Sequence, residues 1–110
     1  MRVRLIRIES IDDYVLNHAS SQAAFDGWYS TLRRADWERP QDIFNNYNSA
    51  DLLGNGSNRV VFNIGGNNHR LICTYHFGRQ WVHLFVNWIG THAEYDRLCR
   101  NNEQYTVARF

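Results

Sequence analysis

The stretch "RVVFNIGGNNHRLICTYHFGRQWVHLFVNWIG", residues 59–90, carries the reading of the fold. It divides into three runs, "RVVFNIG", "HRLICTYHFG" and "QWVHLFVNWIG", punctuated by "GGNN" and "GRQ". β-Branched and aromatic side chains suit a pleated surface and glycine-rich breaks turn the chain, so the pattern predicts three consecutive antiparallel strands. The second break is short enough for a tight hairpin with Gly78–Arg79 as its two-residue turn. That turn sets Tyr75 opposite Val82, Cys73 opposite Leu84, Leu71 opposite Val86, Thr74 opposite His83 and Arg70 opposite Asn87.

Alternation then sorts the strands into two unlike faces. One carries Val60, Phe62, Ile64, Leu71, Cys73, Tyr75, Phe77, Val82, Leu84, Val86 and Trp88, and must lie against helices. The other carries Arg59, Val61, Asn63, Arg70, Ile72, Thr74, His76, Trp81, His83, Phe85 and Asn87. This second face is too apolar for a plain solvated surface and too polar for a core. An ordinary half-exposed sheet face is one account of it. A concave surface for a ligand or single-stranded RNA is the other, because bases stack on aromatic floors while arginines pair with phosphates.

Upstream, "MRVRLIRI" alternates as a strand does. "SIDDYVLNH" reads as a short helix with Ser10 as N-cap and acidic residues in its first turn. In "SSQAAFDGWYSTLRRADW" the spacing of Ala24, Phe25, Trp28 and Leu32 predicts a second helix, with Arg33 and Arg34 near its C-terminal end. Pro40 bars continuation, and "PQDIFNNYNSADLLGNGSN" reads as one helical turn within a polar loop.

Beyond the strands lies "IGTHAEYDRLC", residues 89–99. Thr91 and Glu94 form a capping box that starts a helix, and Asp96 sits where the helix dipole favours it. His92 and Tyr95, three apart, share one side of that helix, which could overhang the rim of the open face. They are either packed and solvated side chains or a pair for acid–base chemistry. His92 and Asp96 also have the spacing of two metal ligands, and His76 and His83 share the open face, but no HExxH, CxxC or third convergent ligand accompanies them, so no metal is expected. Cys73 falls on the core side and no GxSxG is present, which leaves nucleophilic catalysis without support.

With 110 residues the chain is expected to form one domain, 1–110. Its 44% hydrophobic content argues against disorder. No apolar run approaches the roughly 20 residues that span a bilayer, and the N-terminus lacks the apolar core of a signal peptide, so a cytoplasmic protein without membrane attachment is expected. Cys73 and Cys99 are expected as free thiols. The net charge is only +1, which argues against a strong nucleic-acid binder on charge alone. All twelve basic residues are Arg, however, and the guanidinium fork suits phosphate and base stacking better than an ammonium does.

The ordered combination "RVVFNIGGNNHRLI", an alternating strand and "GTHAEYD", preceded by "ADWERPQDIFNNYNSADLL", resembles the HigB-type toxins of the RelE-like superfamily, mRNA interferases of type II toxin–antitoxin systems. The resemblance implies an α+β fold: two to three helices on one face of a twisted antiparallel sheet of three to four strands, with a short helix after the last strand. It implies cleavage of mRNA on the ribosome, without a cofactor, and silencing by a cognate helix-turn-helix antitoxin of HigA type. Operator DNA is expected as a partner only through that antitoxin. Cleavage of this kind deprotonates a ribose 2′-hydroxyl, stabilises a charged phosphorane and protonates the leaving 5′-oxygen. Arg70 is the candidate for phosphate stabilisation, and His92 and Tyr95 for proton transfer. Arg59 and Arg79 are candidate RNA contacts, as are His76 and His83, with Asn63, Asn67, Asn68 and His69 along the approach. A non-catalytic RNA-binding or regulatory module on the same scaffold, and a small-ligand-binding α+β domain, are the alternatives.

Overall fold

The chain opens with strand β1 (Arg2–Ile6) and continues into helices α1 (Ile8–Asn17) and α2 (Gln22–Leu32), which are joined by a 3-10 turn. A second 3-10 turn at Pro40–Asp42 leads into the short helix α3 (Ile43–Asn46). Strands β2 (Asp51–Leu53), β3 (Arg59–Ile64), β4 (His69–Phe77) and β5 (Trp81–Thr91) follow, and helix α4 (His92–Arg100) comes last. These elements are those of a computed structural model that describes residues 1–110. In space the strands run β1-β5-β4-β3-β2, every neighbouring pair antiparallel except β1, which lies parallel to β5. The α+β architecture, the first strand and the helix after the last strand are as expected; β2 adds a fifth strand at one edge, and β1 at the other edge makes the sheet mixed because it runs parallel to β5.

The core follows from the alternation. Val60, Phe62, Ile64, Leu71, Cys73, Val82, Leu84 and Val86 all pack in one buried cluster with Ile11, Phe25, Trp28 and Leu32 of the helices. Phe25, Trp28 and Leu32 recur at three and four positions, so one stripe of α2 meets the sheet. Trp37 and Ile43, both fully buried, pin the connection between α2 and β2, and the Trp37 indole N–H donates to Asn46 Oδ1 at 2.8 Å.

Four local expectations are corrected. Ser10 does not cap α1: Arg7 turns the corner in the left-handed region (φ 74°), the helix starts at Ile8, and Ser10 falls buried in its first turn. Strand β2 lies where a loop is expected, since three residues paired along one side are too short to show alternation. In the β4–β5 hairpin, Gly78 N–H donates to the Trp81 carbonyl, so the two linking residues are Arg79 and Gln80. Tyr75 accordingly pairs with Leu84 and Thr74 with Phe85. Neither Gly78 nor Arg79 has the positive φ that the expected turn needs. Between the turn and Cys73 this displaces each partner by two, so both faces survive it there.

The fourth correction does change a face. Cys73 pairs with Val86 but Ile72 pairs with Trp88, so Asn87 is an extra residue, a β-bulge. Past the bulge the parity reverses. Trp88 joins Val61, Ile72 and Leu98 in a second cluster on the far side of the sheet, and Ile89 takes its place against the helices. Helix α4 therefore packs on the face expected to be open and covers its middle. Residues 101–110 return across the same face: Arg59 Nη1 donates to the Gln104 carbonyl at 3.1 Å, and Arg109 N–H donates to the Asn87 carbonyl at 2.9 Å.

Candidate active site

Strand β4 sets Arg70 between Asn63 of β3 and Gly90 of β5, its cross-strand partners. A glycine beside it leaves no side chain to share the space; instead the Trp88 indole folds over Gly90, where a Cβ would meet it at 2.3 Å. The β3–β4 turn places both Gly65 and Gly66 at positive φ, which brings Asn67 back over the sheet and frees the Asn68 carbonyl to accept from the His92 N–H at 3.0 Å. That single bond ties the start of α4 to the turn.

Arg70 as a whole is only 6% exposed, and its guanidinium is held on three sides. Nη1 donates to the His69 carbonyl at 3.1 Å, and Nη2 donates to Asn67 Oδ1 at 3.0 Å and to His92 Nδ1 at 2.9 Å. A guanidinium can only donate, so Nδ1 of His92 accepts and the ring proton sits on Nε2, 3.4 Å from Asp96 Oδ2. The i, i+4 spacing that suggested two metal ligands thus orients an imidazole. Tyr95 lies one turn into α4, its ring 6.2 Å from the Trp88 ring. Burial, then the neighbouring Cys99, holds its hydroxyl proton well above the ordinary tyrosine range, while the charge of Arg70 pulls the other way. Tyr95 therefore stays protonated near neutrality, where it can donate a hydrogen bond but not act as a base.

Arg70, Asn67 and His92 come together and Asp96 joins them, whereas Tyr95 stands one turn further along α4 beside the second apolar cluster, where the charge of Arg70 still acts on it. Asn63 adjoins Arg70 but spends its amide on the Ser49 carbonyl at 3.2 Å. Arg59 is buried and occupied by Gln104, which makes it a brace for the returning C-terminal segment. His69 points to the helix side, as its parity with Leu71 requires, and its Nδ1 bonds the Tyr14 hydroxyl at 2.7 Å. Burial, with the nearby His18, lowers its proton affinity. His76 and His83 pair across the hairpin with parallel rings 6.3 Å apart, and Phe85 lies beside His83. On the same face the Arg4 guanidinium stacks on Trp81 at 4.1 Å. This second patch lies about 20 Å along the strand from Arg70, with Arg79 exposed at the hairpin tip. Arg4 escaped notice because no residue pattern reveals that β1 lies beside β5.

The capping box is present as expected: Glu94 N–H donates to Thr91 Oγ1, and Glu94 Oε1 accepts from the Thr91 N–H at 2.8 Å. That backbone bond is the main cause holding the Glu94 carboxyl below its ordinary value of 4.5. A depressed carboxyl stabilises the fold above the unfolded value and loses that contribution as pH falls through the folded one. Thr91→Ala is expected to lower stability by about 1 kcal/mol at neutral pH through the lost cap. It keeps the backbone N–H that holds Glu94, so the pH-dependent part belongs to Glu94→Ala, whose deficit from wild type should shrink as pH falls through the folded carboxyl value. Urea melts at neutral and acid pH check both points.

A helix layer against a mostly antiparallel sheet, with an arginine, an imidazole and a carboxylate converging at the start of the last helix, is an arrangement consistent with RelE-like toxins. The model of the HigB toxin family, described as the RelE-like toxic component of a toxin–antitoxin system, matches residues 21–98. The chain belongs to that family. It is also similar to the mRNA interferase HigB of Escherichia coli O6:H1 (strain CFT073), with 24% identity over 98 residues that cover 89% of this chain and 93% of the relative. No helix is long and apolar enough to cross a membrane.

Proposed function

We propose that the chain is a cytoplasmic, ribosome-dependent mRNA endoribonuclease that inhibits translation and works without a metal, silenced by a HigA-type antitoxin. The observation that carries this reading is the hydrogen bond between Arg70 Nη2 and His92 Nδ1, which joins a phosphate-binding group to a proton acceptor. An incoming phosphate competes for Nη2. When it takes that donor, Nδ1 is released to accept the proton of the 2′-hydroxyl, whose oxygen attacks the adjacent phosphorus. The bond from phosphorus to the 5′-oxygen breaks, the 5′-oxygen takes a proton from Tyr95, and the products are a 2′,3′-cyclic phosphate and a 5′-hydroxyl. Asp96, its Oδ2 3.4 Å from Nε2, holds a negative charge beside the ring that receives the proton. Asn67 and His92 are both exposed, so the phosphate approaches from their side. The patch of Arg4, Trp81, His76, His83 and Phe85 offers rings on which flanking bases stack.

One observation favours binding without cleavage: Arg70 is nearly buried and its donors are already engaged. Incubating mRNA with the purified chain, with and without ribosomes and in the presence of EDTA, separates the readings. New 5′-hydroxyl ends in codon phase, formed only with ribosomes and insensitive to EDTA, are expected. Intact mRNA that co-sediments with the chain would assign it to the binding module.

A further inference from the structure

The helix layer holds a feature that cleavage leaves unused. Between α1 and α2 runs an open groove of about 400 Å3, with Ile11, Val15, Leu16 and Phe25 among its apolar lining and Asp12 and Asp26 among its polar lining. Leu16 is 80% exposed, the most exposed large hydrophobic side chain of the molecule. Charge is segregated around it. Residues 8–32 contain Glu9, Asp12, Asp13 and Asp26 but none of the twelve arginines. All four carboxylates are exposed. The groove belongs to the helix side of the sheet, whereas Arg70 and His92 lie on the other side.

We propose that this groove is where the antitoxin docks, through a basic amphipathic helix laid between α1 and α2. The proposal rests on the reading of the chain as the toxin of such a pair. An apolar trough between two helices fits the i, i+3, i+4, i+7 anchors of an amphipathic helix. The carboxylates around it steer and select a partner rich in Arg or Lys. They also argue against the other occupants. A second copy would set four carboxylates against four, and RNA would bring phosphates to the same acidic rim. Docking there covers Leu16 and leaves the Arg70 cluster untouched.

The test titrates the purified full chain with its cognate antitoxin. Leu16→Arg, and separately Asp12→Arg with Asp26→Arg, are expected to weaken binding about 30-fold or more. Affinity for the unaltered chain should fall as salt rises. All three positions are exposed, so melting temperatures should stay at the wild-type value, as should growth arrest on expression without antitoxin. Arg70→Ala should do the reverse, losing arrest while keeping the affinity. Wild-type affinity in both groove variants would overturn the proposal, and so would failure of the antitoxin to bind the unaltered chain. A dimer of the free chain that Leu16→Arg dissociates would give the groove to a second copy. If expression of the unaltered chain arrests nothing, the toxin reading fails whatever the titration shows.

Discussion

Arg70→Ala is expected to abolish growth arrest and to slow mRNA cleavage by roughly 10³-fold, the scale on which removing a charged donor from a developing anion acts. The reason lies in what surrounds the guanidinium. Asn67, the His69 carbonyl and His92 fix its plane before any RNA arrives, so little ordering remains at the moment of reaction. Arg70→Lys keeps the charge but loses the fork that reaches Asn67 and His92 together, and it should recover only a small part of the rate. The arginine is also buried, so both variants need a thermal melt alongside the assay. A folded Arg70→Ala chain that still cleaves at the wild-type rate would remove Arg70 from the chemistry.

Gly90→Ala is expected to cost about 3 kcal/mol, the upper end for overpacking a well-filled site. A Cβ there would lie 2.3, 2.5 and 3.0 Å from three indole carbons of Trp88. An indole at a free surface could swing away. This one is packed with Ile72 and Leu98, near the Tyr95 ring, and under the Arg109 guanidinium at 5.9 Å from its centroid. Moving it disturbs Tyr95 and the returning C-terminal segment, and Gly90 is the cross-strand partner of Arg70. Urea denaturation measures the loss, and Trp88→Leu placed on Gly90→Ala should restore part of it, a non-additivity expected only if the two collide. A Gly90→Ala chain as stable as wild type would mean that the indole has room to move.

What was legible in the sequence follows from period and parity. Two-residue alternation over 59–86 identifies the core face whatever the hairpin turn, because the change of turn displaces the partners of Cys73, Thr74 and Tyr75 by two. The capping box at Thr91 and Glu94 was readable because its geometry is local. Tertiary packing hid the rest. Nothing in "FVNWIG" announces that Asn87 is extra, so alternation alone puts Trp88 on the helix side. Nothing in Arg59 distinguishes an arginine that meets RNA from one that braces the Gln104 carbonyl. The resemblance sets His69 on the approach to the site, whereas its parity with Leu71 points it at the helices, where it meets Tyr14. Arg70, Asn67 and His92 came within reach of inference because the turn and the helix start that hold them are local, whereas Asp96 was seen only as a dipole partner or a metal ligand.

The bulge at Asn87 also fixes how β5 can change in length. Deleting Asn87 would leave Val86 opposite Cys73 and Trp88 opposite Ile72, so the ladder becomes regular while Trp88 still faces α4, Ile89 still faces the helices and Thr91 still reaches the turn whose Asn68 carbonyl receives the His92 N–H. What the deletion removes is local: the Asn87 carbonyl that accepts from the Arg109 N–H and the side chain that accepts from Thr74 Oγ1. A residue lost elsewhere in the strand turns over the side chains between that point and the bulge. The slack for a change of length in β5 is thus stored at one position.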